Sequence, residues 1–409
     1  MKKGIYSVLL VSSVLLSGCS TVSDWFAEDE EIAVRRLEPI NAQFSPSILW
    51  SQELGNGIGH YYSRLEPAVA YGNVYAANRQ GMIAAFDQQS GKQVWQQEFA
   101  VFPEQGLIKD ESSFWSKGEP AKIAGGLAIA YETVFFGTEN GDVMALDAKT
   151  GDLKWQVKVK GEVIATPAID EGVVVLNTGS GLVFALDASN GEQLWTYESE
   201  VPPLSLRGVS APSAVGGGAI IGTATGKLVV NILQSGQTAW EQVITSASGV
   251  TELERIVDID SQPLVFGGII YVITYDGSLA AVELRSGRII WKREYKSYRR
   301  LTAAGTSLFV VDSNSNIYAL DSRNGVELWS QSKLKQRQLS AAVPVGEYLV
   351  AGDKYGYLHW FNQADGKLVA RLEVGGDDED ESIYTSPIVD GKVLYTQTRD
   401  GKLVAVQTP

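Results

Sequence analysis

The chain of 409 residues carries 48 acidic against 34 basic side chains, a net charge of −14 that disfavours nucleic acid and anionic lipid surfaces as partners. Its one cysteine, Cys19, excludes disulfides, thiolate zinc clusters and a thiol nucleophile in the folded part. The two histidines, His60 and His359, stand far apart and outside any metal-ligand spacing, so both read as structural or surface residues; no metal and no cofactor are expected.

The first segment, MKKGIYSVLLVSSVLLSGCS, has the parts of a secretory signal: Lys2 and Lys3, then an apolar core over residues 5–16. That core is shorter than the about 20 residues that cross a bilayer. It ends in Leu16-Ser17-Gly18-Cys19, which resembles a bacterial lipobox, the alternative being an ordinary signal peptide with a chance cysteine. The expected organisation is a signal peptide over 1–18, a lipidated Cys19 with a flexible tether over 19–46, and one folded domain over 47–409. Without Lys2 and Lys3, 32 basic residues face 48 acidic ones and the charge becomes −16. Ser20 stands where an Asp would resemble an inner-membrane retention signal, so the sorting expected is to the outer membrane, with the protein lipid-anchored and facing the periplasm. The tether carries the acidic run EDEE at 28–31 and, as a coil, spans roughly 30 Å.

From Trp50 onward one phrase recurs: GMIAAFDQQSGKQVW, GDVMALDAKTGDLKW, GLVFALDASNGEQLW, GKLVVNILQSGQTAW and GSLAAVELRSGRIIW, then the weaker SNIYALDSRNGVELW and GYLHWFNQADGKLVA. A Gly stands at 91, 151, 191, 236, 287, 325 and 366, and a Trp four residues later in each copy except the last, which has Ala370. The period is that of β-propeller blades and no helical periodicity survives inside it. A second set of apolar runs, from GNVYAAN to GKVLYTQ, numbers eight, one more than the copies of the phrase. The difference resolves if the final GKLVAVQTP is completed by SPSILWSQEL from the other end of the chain, which sets Trp50 forty-five residues before Trp95. The predicted fold is therefore all-β: an eight-bladed propeller of four-stranded antiparallel blades, closed by pairing the strand around Trp50 with the C-terminal blade. In each repeat the Asp at 87, 147, 187 or 321 should accept backbone N–H groups of a turn, the Gly should supply a positive φ, and the Trp should be buried between blades.

The connections that follow the Trp strands vary most in length: 96–121, 196–210 and 241–260 are long, 156–165 is short. In a blade of four alternating strands they all emerge on one face, and insertions confined to one face mark a binding surface. Two of them hold the candidate site: PPLSLRGVSAP with Leu204, Leu206 and Arg207, and ERIVDIDSQP with Asp258 and Asp260. Apolar side chains beside an arginine on an exposed loop have the make-up of an interface hot spot. The alternative is that the leucines cap the propeller while Arg207 pairs internally with Asp258 or Asp260. GGDDEDES at 375–382 reads as a solvated loop on the same face, and WKREYKSYRR at 291–300, the one basic stretch, as an exposed outer strand and turn.

The A-[LF]-D-x-x-[ST]-G-x-x-x-W phrase resembles the quinoprotein-type propellers, and with the lipobox the whole chain is similar to the propeller lipoproteins of the outer-membrane β-barrel assembly machinery. That resemblance implies a non-catalytic scaffold whose Leu204, Leu206, Arg207, Asp258 and Asp260 meet the periplasmic domains of the barrel-forming subunit. It also admits unfolded outer-membrane proteins as clients, held along exposed outer strands by β-augmentation. The rival is a quinone-cofactor dehydrogenase with the same repeat. Such enzymes as a family are longer and often carry a vicinal Cys pair and a calcium site with an Asp base, and nothing in this chain supplies a second Cys.

Overall fold

The repeated phrase is a strand, a tight turn and a second strand, and the burial of each strand follows from where the phrase places its apolar residues. In the third repeat, Val173–Asn177 is buried along its whole length, and the adjoining Leu182–Asp187 is buried through its centre. A strand that is apolar on both faces has to be covered on both faces, and neighbouring blades supply the cover. The next strand, Gln193–Glu198, turns one large side chain inward, Trp195, and leaves Gln193, Leu194, Thr196 and Glu198 in solvent. A preceding three-residue strand, Ala168–Asp170, completes the blade.

In the computed structural model, which describes residues 33–110, 112, 118–206, 209–376 and 381–409, this unit occurs eight times as a four-stranded antiparallel sheet. The innermost strands, beginning with Ala68–Ala70, Ala128–Ala130 and Ala168–Asp170 and ending with Ile388–Asp390, follow one another around an axis, and the last lies against the first. The molecule over Pro39–Pro409 is an eight-bladed β-propeller; residues 33–38 belong to a separate unit. Blade 8 is assembled from both ends of the chain. Its strands Ile388–Asp390, Val393–Gln397 and Lys402–Gln407 are completed by Ser47–Glu53, with Ser47 opposite Gln407, Trp50 opposite Ala405 and Glu53 opposite Lys402.

Each blade is fastened to the next by its tryptophan. The indole N–H of Trp50, Trp95, Trp155, Trp195, Trp240, Trp291 and Trp329 donates to the carbonyl of Gln88, Ala148, Ala188, Leu233, Leu284, Ser322 and Gln363 in turn, at 2.7–3.1 Å. That carbonyl sits in the following blade's outer hairpin, and the ring lies over the Gly of the same turn. A Cβ on any of the seven glycines would meet the tryptophan at 2.5–2.8 Å, and their φ values of +69° to +76° disfavour side chains independently. The turn is held by its own Asp, as expected: Asp87 Oδ1 accepts from Ser90 N at 2.8 Å, and Asp187 Oδ1 from Ser189 N at 2.8 Å. These hydrogen bonds, side chain and backbone, hold Asp87 and Asp187 below their ordinary range.

The missing tryptophan at position 370 has a structural account. Blade 7 (Val343–Val345, Tyr348–Gly352, Tyr357–Asn362, Leu368–Glu373) faces blade 8, where the third and fourth strands come from opposite ends of the chain and no hairpin joins them. The turn that a tryptophan would grip is absent from that junction. In six of the other seven blades the outer Trp stands opposite an alanine, such as Ala85 for Trp95 and Ala185 for Trp195, and in the remaining one opposite Val230; here Ala370 stands opposite Trp360, fully buried on the third strand. Phe44 packs edge-on against Trp360 at 6.3 Å and against Tyr348 at 4.9 Å, and Gln43 N donates to Val369 O at 2.8 Å. The stretch expected to be free up to residue 46 is thus bound to the propeller from Gln43 onward.

Two further features refine the expectations. Within the long connection at 96–121, the outer strand extends to Gln93–Phe102, and Gly106–Lys109 and Glu119–Pro120 add to its edge. Of the basic stretch, Trp291 is buried, and Arg299 and Arg300 are half-buried and turn to the axial opening. The part of the acidic stretch at 377–380 lies outside the described residues.

The clasp makes a prediction. Gly191→Ala brings a Cβ to 2.7 Å from Trp155 at a φ of +76°, whereas Gly216→Ala, at φ +59°, meets nothing within 4 Å. The first should cost roughly 2–4 kcal/mol and the second roughly 1–2 kcal/mol, the backbone strain alone; urea denaturation of both variants measures the difference.

Candidate functional site

The connections into blades 4 and 5 are short of regular structure and are held by side-chain to backbone hydrogen bonds. Asp258 is 3% exposed; its Oδ2 accepts from Leu206 N at 2.8 Å, so it ties one loop to the next. Its own carbonyl accepts from Tyr275 N at 2.9 Å, and Ile259 N donates to Thr223 O at 3.1 Å. The segment is thereby pinned to blades 4 and 5 together. Burial first, and the neighbouring Asp260 charge second, push the Asp258 carboxyl up to about 6 against the lowering effect of the Leu206 N–H.

Asp260, 6% exposed, is paired, but with a residue outside both loops. Its Oδ2 lies 2.6 Å from Nη2 of Arg64, which comes from the segment leading into blade 1, on the opposite side of the ring. The same guanidinium donates to Asp260 O at 2.7 Å and to Val209 O at 3.0 Å, and its Nε donates to the Tyr62 hydroxyl at 2.8 Å. Burial works against the Arg64 charge, but the Asp260 carboxylate and the Tyr62 oxygen outweigh it and hold Arg64 above its ordinary value. Arg64 therefore joins three connections across the axial opening. The sequence reading missed it; the only local signal was the tyrosine- and arginine-rich stretch HYYSRLEP at 60–67.

With Asp258 and Asp260 turned inward, the site presents apolar side chains among its exposed polar ones. Leu204 is 39% exposed and Val201 38% exposed, while Leu206 is half-buried beside the segment it bonds. The following connection adds Val250 and Leu253, 98% and 72% exposed. They sit on a turn around Leu253–Arg255, which is fixed by Glu254 Oε2 accepting from Val250 N at 2.8 Å and Thr251 N at 3.0 Å. Of the five candidate residues, Leu206 and Asp258 are joined directly, Asp260 lies two residues on in the same segment, and Leu204 is exposed on the Leu206 loop. Arg207 lies outside the described residues, as does the lipidation candidate Cys19.

Elsewhere, His359 is fully buried with Nε2 at 2.8 Å from Asp353 Oδ2, which also takes Arg337 Nε at 2.6 Å, a polar cluster inside blade 7. Among the described residues no group of three or more His, Cys, Asp or Glu side chains converges to hold a metal ion.

Comparison with known proteins gives a consistent result. The family described as "Outer membrane protein assembly factor BamB" matches residues 42–119, 79–331 and 313–408. An outer membrane protein assembly factor BamB of Alteromonas naphthalenivorans is 56% identical over 400 residues, covering 98% of this chain and 95% of the relative. That of Escherichia coli K12 is 37% identical over 398 residues, covering 97% of each. Among solved structures, BamB from Moraxella catarrhalis superposes with a TM-score of 0.76 at 26% identity, covering 89% of this chain and all of that one. A quinohemoprotein alcohol dehydrogenase from Comamonas testosteroni superposes with a TM-score of 0.64 at 13% identity over 91% of this chain and 78% of its own, a likeness of fold alone.

The buried Asp258 gives a pH-dependent prediction. Its folded value of about 6 lies above the ordinary range for Asp, so the folded state holds a proton that the unfolded state has released. Its contribution to stability is therefore most favourable at low pH and is lost as pH rises through about 6. Asp258→Asn keeps an oxygen acceptor for Leu206 N and removes the titration, so its melting temperature relative to the unsubstituted protein should rise between pH 5 and 7, measured by calorimetry.

Proposed function

Taking as premise that the chain belongs to the outer membrane protein assembly factor BamB family, we propose that it is a non-catalytic scaffold lipoprotein of the β-barrel assembly complex. It docks through the loop face of the propeller onto the periplasmic domains of the barrel-forming subunit and so aids the folding and insertion of outer-membrane proteins. The observation that carries this reading is the exposed Leu204, presented by a loop whose backbone is fixed from below through Leu206 N and the buried Asp258. An anchor side chain on a fixed backbone loses little freedom on binding, which is what makes a hot spot efficient. In this role Asp258 and Asp260 shape the surface, and Leu204, Leu206 and Arg207 touch the partner. Cys19 carries the lipid that holds the protein at the outer membrane, with the propeller in the periplasm.

The dehydrogenase alternative has only the fold in its favour, since the quinohemoprotein likeness is at 13% identity.

Two experiments test the proposal. Leu204→Ala and Arg207→Glu should each weaken capture of the purified periplasmic domains about thirtyfold, equivalent to about 2 kcal/mol, while shifting the melting temperature little. Normal binding by both folded variants would move the interface elsewhere. Cys19→Ala should transfer the folded propeller from the membrane to the soluble periplasmic fraction, as judged by fractionation after a high-salt wash.

A further inference from the structure

The axial opening on the loop face gathers three arginines in a chain whose net charge is −14. Two of them are neutralised: Arg64 by Asp260 at 2.6 Å, and Arg300 by Glu66 at 3.2 Å. The third, Arg299, has no carboxylate within ion-pair distance among the described residues. Its guanidinium lies 4.6 Å from the centre of the Tyr298 ring and 5.1 Å from that of Tyr384. Its hydrogen bonds, to Tyr384 O at 3.5 Å and Gln338 O at 3.4 Å, are at the long limit. The cation is therefore oriented by two aromatic rings and left short of strong acceptors, in an opening that Gln262, Thr385 and Ser386 also line.

We propose that this opening is a carboxylate-binding site, and that its ligand is an Asp or Glu side chain carried by an extended polypeptide segment. An arginine already held between rings loses little entropy when it grips a carboxylate, and partial burial strengthens the charge-assisted hydrogen bonds. The preference for a peptide over a free small acid comes from the wall of the opening. Ser261 and Gln262, which line it, continue directly from Asp258 and Ile259, whose other side borders the hollow beside Leu206. A segment lying along this wall meets hydroxyl and amide groups suited to its backbone, with Arg299 at the axial end. The site needs no particular partner and stands apart from the docking reading.

The test titrates the full chain, by calorimetry at low salt, with an N-acetylated and C-amidated octapeptide of Gly and Ser bearing a central Glu pair, and with its Gln counterpart. The Glu peptide should bind at least about tenfold more tightly than the Gln peptide, the discrimination expected of one charge-assisted contact. Arg299→Gln should abolish that discrimination, and circular dichroism should report an unchanged fold. Equal binding of the two peptides by the unsubstituted chain overturns the proposal without recourse to any variant. Citrate is the third titrant: if it binds more tightly than the Glu peptide, the ligand is a free acid and the peptide assignment falls. Since the barrel subunit is absent from every arm, a failure here leaves the docking of Leu204 untouched.

Discussion

The contact between an indole ring and a glycine turn holds the ring of blades together. Every blade from the eighth through the sixth grips the hairpin of its successor with a tryptophan N–H on a carbonyl and an aromatic face on a residue without a Cβ. Each half explains the other. The turn must have glycine because the ring lies against it, and the ring lies against it because no other small, positive-φ residue leaves the space. Five of these rings also tilt against an aromatic on the second strand of a blade, Tyr395, Tyr75, Phe135, Tyr271 and Phe309, so the contact extends inward from the rim.

The loop face is organised by a different kind of interaction. There the backbone has no ladder to satisfy it, and buried carboxylates take that role: Asp258 for Leu206 N, and Asp260 as the counter-ion of an arginine that also caps Asp260 O and Val209 O. A buried charge left unpaired costs several kcal/mol, so Arg64 and Asp260 depend on each other for burial. The effect is to free the outer surface of these loops for apolar side chains. Polar groups fixed underneath and leucines exposed above is an arrangement suited to recognition, since the backbone that presents the apolar side chains is already held in place.

The fold was legible because its determinants are local and repeated. Asp, Gly and Trp at fixed offsets carry a turn geometry that does not depend on the rest of the chain, and eight apolar runs against seven copies of the phrase disclosed the shared blade. Even Ala370 was legible as a departure, though its reason was not: it depends on Trp360 across the strand and on Phe44 from the other end of the chain. The site was legible by half. The two connections are tied together through Leu206 N and Asp258, but the partner of Asp260 lies not in the adjacent loop but in the lead-in to the first blade. No periodicity marks an ion pair across a ring. The same holds for Arg299, read as part of an exposed basic stretch and found between two tyrosine rings.

The join between Ser47–Glu53 and Lys402–Gln407 bears on how the molecule comes into being. A chain is made from its N-terminus, so Ser47–Glu53 emerges long before the strand it pairs with and must wait for Gln407. Blades 1 to 7 each close within one repeat, by short-range pairing, while the eighth requires nearly the full length of the polypeptide. Until then Ile48, Leu49 and Trp50 are an apolar segment without its pairing partner. The time spent in that state is the interval in which another chain could supply the missing edge, so completion of the circle also removes the edge on which such pairing would begin.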